Sequence, residues 1–168
     1  AAAARAKIQA GSDCRCQDLA NLAWAVATIS LAHAPLLAAI ASEARARLQE
    51  FAAQNLSNTA WALSTLGLAD KPFMTAIAAA AISRIRDFDE QALTTTAWAF
   101  APLGFLNETL LSAISSAAIR KISAFPPQDL ANIAWSLAAL SLIHDPLMDA
   151  ISSAAIKIIS AFRAQELG

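Results

Sequence analysis

Tyrosine is absent from this chain, glycine occurs only four times in 168 residues, and β-branched residues form no alternating runs. Little here would build a sheet, and helix is favoured over strand. Hydrophobic residues make up 57%, much of it Ala, the best helix former. Charge of one sign is also missing. The 12 Lys and Arg meet 13 Asp and Glu, giving a net charge of -1 and a pI near 6.1. That balance announces no nucleic-acid partner. Cysteine is limited to Cys14 and Cys16. This C-x-C pair has no second pair and no nearby His to complete a zinc spacing, so no metal and no cofactor is expected.

One apolar run needs a decision. Leu19 to Ser42 is 24 residues without a formal charge, long enough to cross a bilayer. It contains Asn21, His33 and Pro35, and the same segment one period later carries Asp70 and Lys71. A unit charged in one copy does not span a membrane in another. The expectation is a buried two-helix core with no membrane insertion.

What is present is a repeat. Trp24, Trp61, Trp98 and Trp135 are each 37 residues apart. Gln17, Gln54, Gln91, Gln128 and Gln165 keep that step, as do Leu19, Leu56, Leu93, Leu130 and Leu167. Phe51, Phe88, Phe125 and Phe162 follow it too. Self-similarity at a fixed period of this length marks a solenoid. The fold expected is all-α, an α-solenoid of four 37-residue helix–turn–helix repeats with partial repeats at both ends. Over a single array 1–168, the repeats are 17–53, 54–90, 91–127 and 128–164. Residues 1–16 are read as the end of a preceding repeat plus an insertion, and 165–168 as the start of a next one.

Each unit divides into two helices. Helix A is expected over Gln17–Ser30, Gln54–Leu66, Gln91–Leu103 and Pro127–Leu140, and helix B over Pro35–Glu50, Pro72–Asp87, Thr109–Ala124 and Pro146–Ala161. Gly67 and Gly104 fall where helix A ends and suit a left-handed residue there; Ser30 and Ser141 hold the same place. Pro35, Pro72 and Pro146 suit the first position of helix B, where no N–H is needed, and Thr109 follows a capping Asn107. Phe51–Leu56, Phe88–Leu93 and Phe125–Leu130 have the spacing of a hydrophobic staple. Pro102 should shorten or kink the third helix A. Trp24, Trp61, Trp98 and Trp135 are assigned to the structural core, each indole filling the gap beside a small Ala where helix B approaches.

No catalytic residues are recognisable. His33 and His144 occupy a loop position that elsewhere holds Asp70 and Asn107, which reads as a polar loop site rather than a base. There is no Gly-rich phosphate loop and no nucleophile–base spacing. Binding is expected rather than an enzyme, with no small-molecule substrate. On helix A the residues one, four, five and eight places after Gln vary within a fixed frame. Among them Asp18, Asn21, Asn55, Asn58, Thr95, Thr96, Asp129 and Asn132 are candidates to face RNA bases. The column Asn21, Asn58, Thr95, Asn132 could meet base edges one unit per nucleotide, or could bond backbone and bridge helices. Arg45, Arg47, Arg84, Arg86, Arg120, Lys121 and Lys157 lie near the ends of the B helices. They are candidate phosphate contacts, or cations that complement helix C-termini.

The units themselves carry a resemblance. The pattern Q-D-L-A-N-x-A-W-A-x-A-T-L, clearest at Gln54-Asn55-Leu56-Ser57-Asn58-Thr59-Ala60-Trp61-Ala62-Leu63, resembles heptatricopeptide repeats. It is also similar to octotricopeptide repeats and to the helical units of organellar proteins that end in a RAP domain. The resemblance implies an α-solenoid that binds single-stranded or ribosomal RNA in a mitochondrion or plastid. Its work would be RNA stability, processing, translation or ribosome assembly. The alternative is a protein–protein scaffold within a larger assembly. If the Asn/Thr column and the basic row share one groove, RNA is favoured; an apolar or acidic groove favours a protein partner.

Overall fold

The computed structural model describes residues 15–30 and 33–166, with side chains to residue 160. The expected partial repeat at 1–14, with Cys14, and the residues Leu167 and Gly168 lie outside the described residues. Eight α-helices follow one another with no strand among the described residues. They are α1 (Cys16–Thr28), α2 (Ala34–Ala46), α3 (Ala53–Thr65), α4 (Lys71–Ser83), α5 (Glu90–Phe100), α6 (Glu108–Lys121), α7 (Pro127–Ala139) and α8 (Asp145–Glu166). The odd-numbered helices are the A helices and the even-numbered ones the B helices. Each A helix packs mainly on the next A helix, and each B helix packs on its own A helix and the next B helix. The all-α, solenoid-like architecture read from the sequence is therefore what the chain adopts.

The core follows from periodicity. On each A helix the Leu two places after Gln is buried: Leu19, Leu56, Leu93 and Leu130. So is the large residue nine places after it: Val26, Leu63, Phe100 and Leu137. On the B helices, Leu36, Phe73, Leu110 and Leu147 are buried, with Ile40, Ile77 and Ile114 one turn on. Positions i, i+3/i+4 and i+7 line one side of a helix, so these residues form one apolar stripe per helix. Full burial of each such side chain contributes roughly 1.5–3 kcal/mol.

The ends of the helices are set by chemistry visible in the sequence. Ser30, Gly67, Gly104 and Ser141 all have positive φ, from 51° to 65°. At Gly67 the N–H donates to the Ser64 carbonyl at 2.9 Å and Leu68 N–H to the Leu63 carbonyl at 2.8 Å, closing a Schellman motif. The loop position that varies among His, Asp and Asn caps helix B. His33 Nδ1, Asp70 Oδ1, Asn107 Oδ1 and His144 Nδ1 accept the N–H of Leu36, Phe73, Leu110 and Leu147 at 3.0–3.2 Å. Phe51, Phe88 and Phe125 sit just before the first caps of α3, α5 and α7 and are buried with their Leu partners. The staple register holds.

All four B-helix ends differ from expectation. The first three B helices end about a turn early, at Ala46, Ser83 and Lys121, and a 3-10 turn completes each (Leu48–Glu50, Ile85–Asp87, Ile122–Ala124). At that break Arg47, Arg84 and Lys121 adopt φ of -120°, -117° and -115°. In α8 the same position is Ile158, and the helix runs on to Glu166, past the expected end at Ala161. Pro102 has the effect anticipated: α5 is 11 residues long where α3 has 13.

Candidate interaction groove

A second stripe runs along every A helix, opposite the core. It holds Gln17, Asn21, Trp24; Gln54, Asn58, Trp61; Gln91, Thr95, Trp98; and Gln128, Asn132, Trp135. Their spacing of i, i+4, i+7 puts each triplet on one side of its helix. All four Gln are exposed, Asn21 is exposed, and Asn58, Thr95 and Asn132 are half-buried. The assignment of the tryptophans to the core is corrected here. Trp24 and Trp135 are 47% and 50% exposed, and Trp61 and Trp98 are only half-buried. The physical reason is angular. Ala23, Ala60 and Ala97 are buried as expected, but the next residue lies about 100° round the helix. That rotation carries the indole toward the Gln side, although Trp61 still packs partly against the core. The Trp24 and Trp61 rings are 6.2 Å apart between centroids and tilted by 32°, so the stripe is continuous across the first two units.

The remaining candidates separate. Thr95, Asn132 and Asp129 line an open cavity of about 690 Å³ between α5 and α7, together with Gln91, Gln128, Trp61 and Trp98. Thr96 does not face it; it is 0% exposed between A helices. Asn55 is buried as well, and its Oδ1 accepts the Ala52 N–H at 3.1 Å. Asp18 makes the same bond with Arg15 N–H at 3.0 Å. Base-facing roles for Thr96 and Asn55 are thus overturned. Asn55 satisfies itself on nearby backbone, as Thr59 does on the Asn55 carbonyl at 2.8 Å, whereas Thr96 packs inward with its hydroxyl unpaired.

In α7 the equivalent of Asp18 and Asn55 is Asp129, but the cap residue is Pro126, which has no N–H to offer. Asp129 faces the groove instead. Burial pushes its carboxyl above the ordinary range, and Asp89 and Glu90 push it further the same way. Asp89 and Glu90 also line the cavity, and no Lys or Arg does. Asp89 caps α5 by accepting the Ala92 N–H at 2.7 Å, and Glu90 stands 4.0 Å from Lys121.

The basic residues do other work. The Arg84 guanidinium donates to the Gln49 carbonyl, and Lys121 Nζ donates to the Phe88 carbonyl at 2.7 Å. Each reaches back to the turn that ends the preceding unit. Arg47 binds Glu50 at 2.9 Å and holds its carboxyl below the usual range. Arg45 pairs with Asp70 at 2.6 Å and lies over the Phe73 ring at 5.2 Å. Arg86 and Arg120 are exposed near the B-helix ends, whereas Lys157, expected there too, is exposed in the body of α8, which runs on to Glu166. Sequence reasoning passed over Gln17, Gln54, Gln91 and Gln128 as mere frame. Their shared i, i+4, i+7 stripe with the Asn/Thr column and Trp was the available signal.

Among the described residues no cluster of His, Cys, Asp and Glu could hold a metal ion, and no helix is long and apolar enough to cross a membrane. Fold and groove together define a helical-repeat protein with an open groove lined by polar and aromatic side chains. The family follows from the sequence: the model of the RNA-editing substrate-binding complex 6 protein matches residues 12–146, and the chain belongs to that family. The match bears out an RNA-related helical family. No curated protein matches the chain significantly.

Proposed function

We propose that this chain is a non-catalytic scaffold module of an RNA-editing type of assembly, and that it holds a protein partner along the groove of its A helices. The observation that carries the reading is the composition of that groove. Two indoles, amides and hydroxyls line it beside three carboxylates, with no cation in the lining. The Arg84 and Lys121 donors are used on backbone carbonyls, which supports a tie between units over a row of phosphate contacts. The family name itself describes a substrate-binding complex, and a solenoid's stacked surface suits contact with other members of such a complex.

A second reading is favoured by a specific feature. Trp24 and Trp61 pair beside Asn21 and Asn58, with Trp24 exposed and Trp61 half-buried at the edge of the acid-lined cavity. Single-stranded RNA could stack bases there and bond their edges through the amides, which is the heptatricopeptide-like or octotricopeptide-like mode. The mitochondrion is the organelle we propose; the family match lends the plastid no support.

Photo-crosslinking separates these occupants. A benzophenone side chain placed at Gln91, in the groove, and another at Ser116, exposed on α6, are irradiated in cells. Protein adducts from Gln91 and none from Ser116 are expected. RNA adducts from Gln91 would transfer the groove to the second reading, and adducts from neither position would end both.

A further inference from the structure

Within the groove, one place differs from the rest of the array. In α1 and α3 the third residue of the helix folds back to accept its own cap N–H, through Asp18 and Asn55. In α7 Pro126 removes that donor, and Asp129 is left lining the cavity between Trp61, Trp98 and the acids of α5. We propose that this cavity receives an arginine side chain carried on an extended segment of a partner protein.

The chemistry of the lining argues for that occupant. Indole faces attract a guanidinium, and Arg stacks on them better than Lys because it is planar and weakly hydrated. A carboxylate offers two oxygens to the guanidinium fork. Gln91 and Asn132 stand alongside with donors and acceptors for the flanking backbone of a bound segment. The volume of about 690 Å³ exceeds what one side chain fills and leaves room for its neighbours. A nucleic-acid phosphate entering here would meet three carboxylates, of which only Glu90 has a cation, Lys121, within 4.0 Å. Fold requirements explain part of the acidity, since Asp89 is a cap and Glu90 sits near Lys121. They do not explain Asp129, whose ionisation the surroundings oppose. A bound guanidinium would reverse that opposition.

The inference rests on the groove being a protein-contact surface. Its test uses the purified full chain labelled with 15N, whose four indole N–H signals report separately on the four Trp. The probe is acetyl-Gly-Ser-Arg-Gly-Ser-amide, with the same peptide carrying citrulline in place of Arg as an uncharged isostere, and decauridylate as the RNA arm. The Arg peptide should move the Trp61 and Trp98 signals and leave Trp24 still, while the citrulline peptide moves none. Asp129→Asn should weaken the Arg peptide at least fivefold at pH 7, with its melting temperature confirming that the fold is intact. Equal binding of the two peptides, an unchanged Asp129→Asn affinity, or no response from Trp61 and Trp98 would overturn the proposal. So would decauridylate moving those two signals in the unaltered chain. Protein crosslinks from Gln91 alongside a silent Arg peptide would reject this occupant and leave the scaffold reading standing.

Discussion

Ser30 and Ser141 hold left-handed backbone, with φ of 51° and 54°, where the other two units use Gly67 and Gly104. An L-residue with a side chain loses roughly 1–2 kcal/mol in that region, while Gly does not, though Gly loses more entropy on folding. Nothing lies within 4 Å of a Cβ built on Gly67, so only the backbone term operates there. Ser141→Gly should therefore raise stability by about 0.5–1 kcal/mol, and Gly67→Ala should lower it by about 1 kcal/mol. Thermal melts of the two variants check both signs. Asp129 supplies a pH-dependent counterpart. Its carboxyl is raised above the ordinary value of 3.8, so the folded state holds its proton more tightly than the unfolded state. The stability linked to that proton is full below the unfolded value and is lost as pH rises through the folded one. Asp129→Asn should accordingly melt higher than the parent at pH 7, with the gap closing as pH falls toward 3.8. A gap that widens on acidification would contradict the placement of Asp129.

At the scale of the helix, the units are tied by contacts that join consecutive repeats. Phe51, Phe88 and Phe125 are buried at the turns between repeats, and Phe→Ala there should cost about 3–5 kcal/mol. Arg84 and Lys121 close the same junctions from outside, on the Gln49 and Phe88 carbonyls. Arg84→Ala and Lys121→Ala should each cost about 0.5–1.5 kcal/mol, the net worth of a typical hydrogen bond. Urea unfolding measures this; no loss of stability in either variant would return those cations to the pool of possible phosphate contacts. These junctions also show what the sequence could reveal. The Phe–Leu staple, the helix-ending Gly and the Pro at the start of helix B were legible because each residue type has few other reasons to recur at 37-residue steps. The position of Trp was not read correctly. A large aromatic at a fixed place suggests a core residue, yet one step round the helix separates buried Ala60 from the groove stripe. Thr96 failed in the opposite sense, being polar but enclosed between neighbouring A helices. Which sides of helix A would be covered depended on A-to-A stacking, a tertiary fact that no single helix encodes. The target of Lys121, a carbonyl 33 residues upstream, was equally beyond local pattern.

Taken whole, the molecule is a stack in which one side of each A helix builds the core and the opposite side is left open. The open side carries Gln and Trp, as invariant over four units as the Leu of the core, together with its Asn/Thr column. A surface kept in register through four units is the property of a contact groove. The central claim is that the indoles belong to that groove and not to the core. The most direct measurement is a Trp98→Ala, Trp135→Ala double variant, followed both by thermal melting and by co-purification of the partner that Gln91 crosslinks. The account predicts a loss of about 1 kcal/mol or less at exposed Trp135 and, at half-buried Trp98, a loss well short of a fully buried aromatic's, with co-purification abolished. A collapse of stability by about 3–5 kcal/mol per ring, as for buried aromatics, or undiminished co-purification by a folded variant, would contradict it.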